Sequence, residues 1–233
     1  AAPRRALAER LLELAGFDGG LVYFTLAGAD ANENAVRIAR LAADRPEGLI
    51  ITRERSYHGA SHFGMALSGD ARTAHQADAA TWGVRRVPPP YSYRCAFGST
   101  TAVDCGRRAA AAVADAIDAE GRERCAAVLM EPDAGSNGIV APDNYWPELR
   151  TLTRERGVWL IADEVMSAFG RCGEWFAWQR HGEAGRPDLM TLAKGLTGAM
   201  IPLGAVVLSA AVAGRIAGRM FQSGLTYCGH PLA

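Results

Sequence analysis

Short apolar runs recur along the chain with helix-length segments between them, and this alternation most constrains what it can fold into. Leu21–Thr25, Leu49–Thr52, Gly83–Val87, Ala126–Met130, Val158–Ala162, Leu189–Ala193 and Ala205–Leu208 read as strands. Between them Ala6–Leu14, Asn34–Leu41, Arg107–Ala119 and Tyr145–Arg156 carry helical spacing, and a last helix begins near Ser209. Strands buried on both faces read as continuous apolar runs, and strand–helix alternation builds a mostly parallel sheet covered by helices on both faces. The predicted fold class is therefore α/β. At 233 residues the chain is long enough for one substantial core, and residues 1–233 are expected to form one large domain.

Charge narrows the partners. The chain has 25 basic and 25 acidic side chains, a formal charge of zero and no basic stripe, so no nucleic-acid partner is expected. The five cysteines form no C-x-x-C pair, which predicts free buried thiols and a cytoplasmic, reducing setting. Gly195–Gly214 is uncharged for twenty residues, the length of a membrane span. It is broken by Pro202 and by Gly198 and Gly204, so it reads as a loop, a buried strand and a helix start, with no membrane association. Arg4, Arg5 and Glu9 interrupt any apolar leader at the start.

Of the 25 basic residues, 24 are arginine, and the one lysine is Lys194. A guanidinium does not deprotonate in proteins, whereas a lysine amine can do so and attack a carbonyl. Lys194 directly follows the Leu189–Ala193 strand, and in open α/β sheets ligands gather beyond the carboxyl ends of strands. Glu131 and Asp163 occupy the same kind of position after their strands. Asp163 follows an apolar strand and needs a partner for its charge, either Lys194 directly or a cofactor lying between the two. Gly28-Ala29-Asp30 follows Leu21–Thr25 and leads into a helix expected to begin near Asn32. This turn is either an ordinary cap by Asp30 or a phosphate site.

Six stretches in order carry a family resemblance. They are Gly28 to Ala35, Ser56-Tyr57-His58-Gly59-Ala60, and Glu131-Pro132 with Gly135-Ser136-Asn137-Gly138. They continue with Asp163-Glu164-Val165-Met166 and Phe169-Gly170-Arg171, then Leu192 to Leu196, then Thr226-Tyr227 with Gly229 to Ala233. Together they resemble the class III pyridoxal-phosphate aminotransferases, the ω-aminotransferase group of fold type I enzymes. The resemblance implies pyridoxal 5'-phosphate as cofactor, with Lys194 as Schiff-base lysine and proton carrier and Asp163 as partner of the ring nitrogen. It places Tyr57 and Val165 against the two ring faces and Gly28 and Ala29 in the phosphate turn. Glu131 and His58 become supporting residues of the polar network. Thr226 would reach the phosphate of a neighbouring subunit, so a homodimer is implied.

The implied reaction moves an amino group from a small amine or ω-amino acid to a keto acid by a ping-pong scheme. Ser136 stands where the 4-aminobutyrate and ornithine branches carry glutamate, which favours pyruvate as acceptor. Ala29 stands where the family usually has serine or threonine, removing one hydrogen bond to phosphate, about 1 kcal/mol. Family members extend beyond both ends of this chain, so it is expected to hold the large cofactor-binding domain without the N-terminal segment and the small C-terminal domain. Two alternatives keep the residues but change the outcome: an aminomutase or racemase, and a truncated binding or structural remnant without catalysis.

Other signals point elsewhere. His58 and His62 could share a helix face as metal ligands, but no acidic third ligand accompanies them, and no metal site is expected. Trp82, Trp146, Trp159, Trp175 and Trp178 are expected in the core and pocket wall, and Arg53 and Arg55 on a solvated strand end. A Ser-His-Asp hydrolase is not supported, because the G-x-S-x-G elbow is missing.

Overall fold

In the computed structural model, which describes residues 2–73, 75–76 and 82–233, the apolar runs assemble into one seven-stranded sheet. The chain runs through α1 (Ala2–Ala15), β1 (Leu21–Thr25), α2 (Gly28–Ala42), β2 (Leu49–Arg53), α3 (His62–Leu67), β3 (Val84–Val87) and α4 (Ala102–Glu120). It continues through β4 (Cys125–Met130), the short hairpin of β5 (Asp133–Ala134) and β6 (Ile139–Val140), and α5 (Tyr145–Glu155). The last elements are β7 (Trp159–Asp163), β8 (Leu189–Leu192), β9 (Gly204–Leu208) and α6 (Ala210–Ile216). Strand order across the sheet is β1-β9-β8-β7-β4-β2-β3. Every pairing is parallel except those of β9, which runs against both β1 and β8.

Two apolar layers flank the sheet, and strand periodicity assigns residues to them. Within β4, Val128 and Met130 join Leu11, Val113, Ile117 and Leu149 from α1, α4 and α5. Ala127 and Leu129 point the other way, onto Ala35, Ile38 and Val212 of α2 and α6. Each fully buried Leu, Ile or Val contributes about 1.5–3 kcal/mol relative to exposure. A buried ion pair adds specificity at one edge of the first layer. Arg150 donates to both oxygens of Asp188 at 2.7 Å, and Asp188 also accepts from the Leu160 amide at 2.9 Å, tying α5 to the β7–β8 crossover.

Several boundaries differ from the sequence reading. Helix α2 begins at Gly28, one turn before the expected start near Asn32, because Ala27 takes the cap position without any side-chain cap that could have signalled it. Helix α4 begins at Ala102, where the Thr101 hydroxyl accepts from the Asp104 amide at 3.2 Å. Of the tryptophans, Trp146 and Trp178 are buried, whereas Trp82 and Trp175 are exposed. The expectation of core and pocket wall fails at Trp82 and Trp175, while Trp159 packs against the second apolar layer. The thiols are all free, but only Cys105 and Cys125 are buried; Cys95, Cys172 and Cys228 are half-buried. The uncharged stretch 195–214 divides into a loop, β9 and the start of α6, which the Ser209 hydroxyl caps. Among the described residues no helix is long and apolar enough to cross a membrane.

Candidate active site

The parallel strands end on one edge of the sheet, and there the connections open a cavity of about 580 Å³. The β1–α2 turn supplies Gly28 and Ala29, and the loop after β2 supplies Tyr57 and His58. Glu131 follows β4, Asp163 ends β7 with Val165 just beyond, and Lys194 follows β8. Eight of the nine sequence-derived site residues therefore line one space. Thr226 does not: it lies exposed in the 225–233 segment, outside the cavity lining.

Asp163 is 3% exposed, and three donors hold its carboxylate. Asn32 Nδ2 and His58 Nδ1 both reach Oδ2 at 2.7 Å, and the Val165 amide donates to Oδ1 at 3.0 Å. Asn32 is in turn fixed by the Thr191 hydroxyl, which donates to its Oδ1 at 2.7 Å. A direct Asp163–Lys194 ion pair is thus not formed. Lys194 is exposed and makes no side-chain hydrogen bond or ion pair among the described residues, so its amine is available. Its backbone is strained, with φ at +37°, a region a non-glycine residue occupies only when its surroundings enforce it.

His58 and His62 do not share a helix face. His58 precedes α3 and turns its ring onto Asp163, while His62 opens α3 and lies 5.6 Å from the Trp82 ring. The His58 ring is buried, and its Nε2 has no hydrogen-bond partner.

Arg53 corrects the expectation of a solvated strand end. It is 1% exposed, and its Nη2 pairs with Glu131 Oε2 at 3.1 Å. Burial pushes the Glu131 carboxyl up, while Arg53 and His58 pull it back toward the charged form. Arg55, by contrast, is exposed and lies 5.2 Å over the Tyr91 ring. One further carboxyl is fully buried beside the site: Glu164 accepts from the Ser167 hydroxyl and from the Trp178 amide at 3.0 Å. Burial pushes its pKa from 4.5 up to about 7.

The β1–α2 turn is built to receive an anion. The first amide of α2 with a backbone acceptor is that of Ala31, on the Ala27 carbonyl at 2.9 Å, which leaves the amides of Gly28 and Ala29 at the N-terminus of a 15-residue helix. Asp30 is not the cap; its carboxylate accepts from the Leu26 amide at 2.9 Å and from Asn34 Nδ2 at 2.7 Å. A side chain at position 28 would put its Cβ 2.8 Å from Val165 Cγ1, so glycine here lets the turn and Val165 approach each other across the cavity wall.

Four residues that matter to this geometry carried no assigned site role in the sequence reading. Asn32 lay inside a quoted motif without a role. Arg53 ends an apolar strand just as Asp163 does, and that shared position was the available signal. Thr191 sits in a strand that reads as plain core. Arg72 carried no signal: it lines the cavity with its guanidinium 5.6 Å from the Tyr57 ring centroid, bound to Asp70 at 2.9 and 2.7 Å.

Comparison with known proteins converges on one family. The family model for aminotransferase class-III matches residues 1–233. The chain is 36% identical to the putrescine–pyruvate aminotransferase of Pseudomonas aeruginosa over 97% of its own length and 50% of that protein. It is 37% identical to the diaminobutyrate–2-oxoglutarate transaminase of Halomonas elongata over 88% of its length and 45% of that protein. Among solved structures, the omega transaminase from Pseudomonas jessenii in complex with PMP superposes with a TM-score of 0.91 at 32% identity, covering 99% of this chain and 52% of that one. A thermostable (S)-enantioselective omega-transaminase from Thermomicrobium roseum gives 0.88 at 35% identity, over 100% of this chain and 53% of that one. The chain therefore spans about half the length of the curated relatives it matches. With the whole chain matched by the family model and its fold superposing on these structures, the protein belongs to the class III aminotransferases.

Proposed function

We propose that this protein is the cofactor-binding large domain of a pyridoxal-phosphate-dependent transaminase, which moves an amino group from an amine or ω-amino acid to a keto acid such as pyruvate. The observation that carries this reading is the pairing, in one cavity, of an unpartnered lysine amine with a buried carboxylate held by three donors. The residues fit the cofactor. The free amides of Gly28 and Ala29 suit its phosphate, the buried Asp163 carboxylate suits a protonated ring nitrogen, and Tyr57 and Val165 present flat and branched surfaces for the ring.

When bound, pyridoxal 5'-phosphate supplies an aldehyde for reversible condensation with amines and a ring that withdraws electrons. Lys194 Nζ is the amine that would hold it covalently, and when free that nitrogen would carry a proton. Asp163, its carboxylate oriented by three donors, would face the ring nitrogen of the bound cofactor and accept a hydrogen bond from it. His58 donates through Nδ1 and fixes the carboxylate plane, and Glu131 with Arg53 keeps a charged pair behind it. Thr226, exposed and away from this cavity, is assigned to the neighbouring site of a homodimer.

The test is borohydride reduction of the protein after addition of pyridoxal phosphate, followed by peptide mapping. A single label on Lys194 is expected. A folded protein that stays colourless and unlabelled overturns the reading and favours a non-catalytic remnant.

A further inference from the structure

Beyond α6 the chain turns back along α2, from the C-terminal end of that helix to its first turn, and polar contacts fix it at successive levels. At the far end Arg215 Nε donates to the Ala42 carbonyl at 3.0 Å, and Arg219 Nη1 donates to the Leu41 carbonyl at 2.6 Å. Both guanidinium groups also pair with Asp44, at 2.8 and 2.6 Å. At the middle Arg37 donates to the Gln222 carbonyl and, at 3.0 Å, to the Ser223 hydroxyl, with its guanidinium 5.0 Å over the Phe221 ring. The Ser223 hydroxyl in turn donates to Asn34 Oδ1. At the first turn Cys228 Sγ donates to Asp30 Oδ2 at 3.6 Å. The Cys228 amide donates to the Leu225 carbonyl at 3.0 Å, closing a turn that contains Thr226.

Asp30, Asn34, Arg37 and Leu41 lie three or four positions apart, so these contacts fall on one face of α2. The neighbouring face, with Ala31, Ala35, Ile38 and Ala42, is buried against the sheet. Apolar burial does little to hold the returning segment. Met220, Leu225 and Tyr227 are exposed, and Phe221 packs edge-on against Tyr23 at 5.5 Å. A segment with so little buried apolar surface opens locally unless its hydrogen bonds hold it, and Arg37 supplies those at the midpoint. The Asp30 end adjoins the cavity. The same Asp30 oxygen accepts from the Leu26 amide at 2.9 Å, and Leu26 lines the cavity with Gly28 and Ala29.

We propose that Arg37 is a positioning residue: it straps the returning chain to α2 so that the 225–228 turn, with Thr226, stays beside the N-terminal end of that helix, and cofactor affinity depends on that placement. The assignment rests on the transaminase reading for the cofactor and for the part of Thr226, but the strap can be measured without either.

Amide hydrogen exchange is followed in the full chain and in its Arg37→Gln and Arg37→Lys variants. In Arg37→Gln the amides of residues 221–228 should exchange about five- to fiftyfold faster, the range for two lost hydrogen bonds, while those of β1, β9 and the interior of α2 hold. Arg37→Lys keeps the charge and can keep one bond, so it should fall between. Pyridoxal phosphate is then titrated by absorbance. Arg37→Gln should weaken its binding about fivefold, and Thr226→Val should cost less on the Arg37→Gln background than alone. Exchange in 221–228 that stays as in wild type, or a rise spread evenly over α2 and the sheet, overturns the strap. Unchanged cofactor affinity in Arg37→Gln, or full additivity with Thr226→Val, overturns the positioning role. A wild type in which Lys194 takes no cofactor sinks the transaminase reading and the positioning role with it, while the exchange rates still decide whether Arg37 holds the segment.

Discussion

The side-chain amide of Asn32, in the first turns of α2, donates to Asp163 Oδ2 at 2.7 Å across 131 residues of chain, and this bond couples the first helix of the cavity wall to the strand that carries the site's buried carboxylate. Asn32 also receives the Thr191 hydroxyl from the neighbouring strand, so one buried amide joins α2, β7 and β8.

Replacing Asn32 by leucine removes a donor and an acceptor together and leaves both Asp163 and Thr191 short of a partner in a buried place. The expected loss is about 1–3 kcal/mol, read as a lower denaturant midpoint with unchanged slope. Asn32→Asp should be worse, because it sets a second carboxylate against Asp163. A midpoint within error of wild type for both variants would show that the coupling carries no stability.

Breaking the Arg53–Glu131 pair from one side strands a charge with almost no water access. Arg53→Met or Glu131→Leu alone should destabilise by about 3–5 kcal/mol, whereas the double variant should recover most of that loss. A double-mutant cycle in chemical denaturation checks this, and simple additivity of the two losses would contradict it.

Glu164 makes stability depend on pH near neutrality. Its pKa is raised from 4.5 to about 7 by burial, so between those values the folded state keeps a proton that the unfolded state has released. Stability from this group is full below pH 4.5 and is lost as pH rises to 7, at about 1.4 kcal/mol per pH unit. Glu164→Gln should lack that slope, so the difference between the two stability curves should change by about 1.4 kcal/mol per pH unit between 4.5 and 7. Parallel curves would mean that Glu164 titrates where an exposed glutamate does.

Restoring a hydroxyl at position 29 should strengthen phosphate binding. Ala29→Ser adds a donor beside two free helix amides, an expected gain of about 1 kcal/mol, or roughly fivefold in cofactor affinity by absorbance titration. The hydroxyl has to point away from Gly59, because a Cβ at position 59 would already lie 2.5 Å from the Ala29 Cβ. Affinity that stays the same or falls would show that this crowding decides the outcome.

What was legible in the sequence was whatever a residue announces through its own neighbours. Continuous apolar runs such as Ala126–Met130 marked buried strands, and the placement of Glu131, Asp163 and Lys194 just past such runs put them on one edge of the sheet. Helix starts were less legible where the cap is silent, as at Ala27.

The sequence by itself determined the α/β class through periodicity and, through the short motifs that carry the resemblance, the family and eight of the residues that line the cavity. Only the tertiary structure decided which partners those residues take. Asp163 turned to His58 and Asn32 rather than to Lys194, and Arg53, read as a solvated end, became buried against Glu131. The physical reason is that a buried charge takes whichever donor the packing of distant elements delivers to it, and sequence spacing does not record that choice. Among the described residues Lys194 was left without a side-chain partner by the same selection, and that freedom is what the proposed chemistry requires.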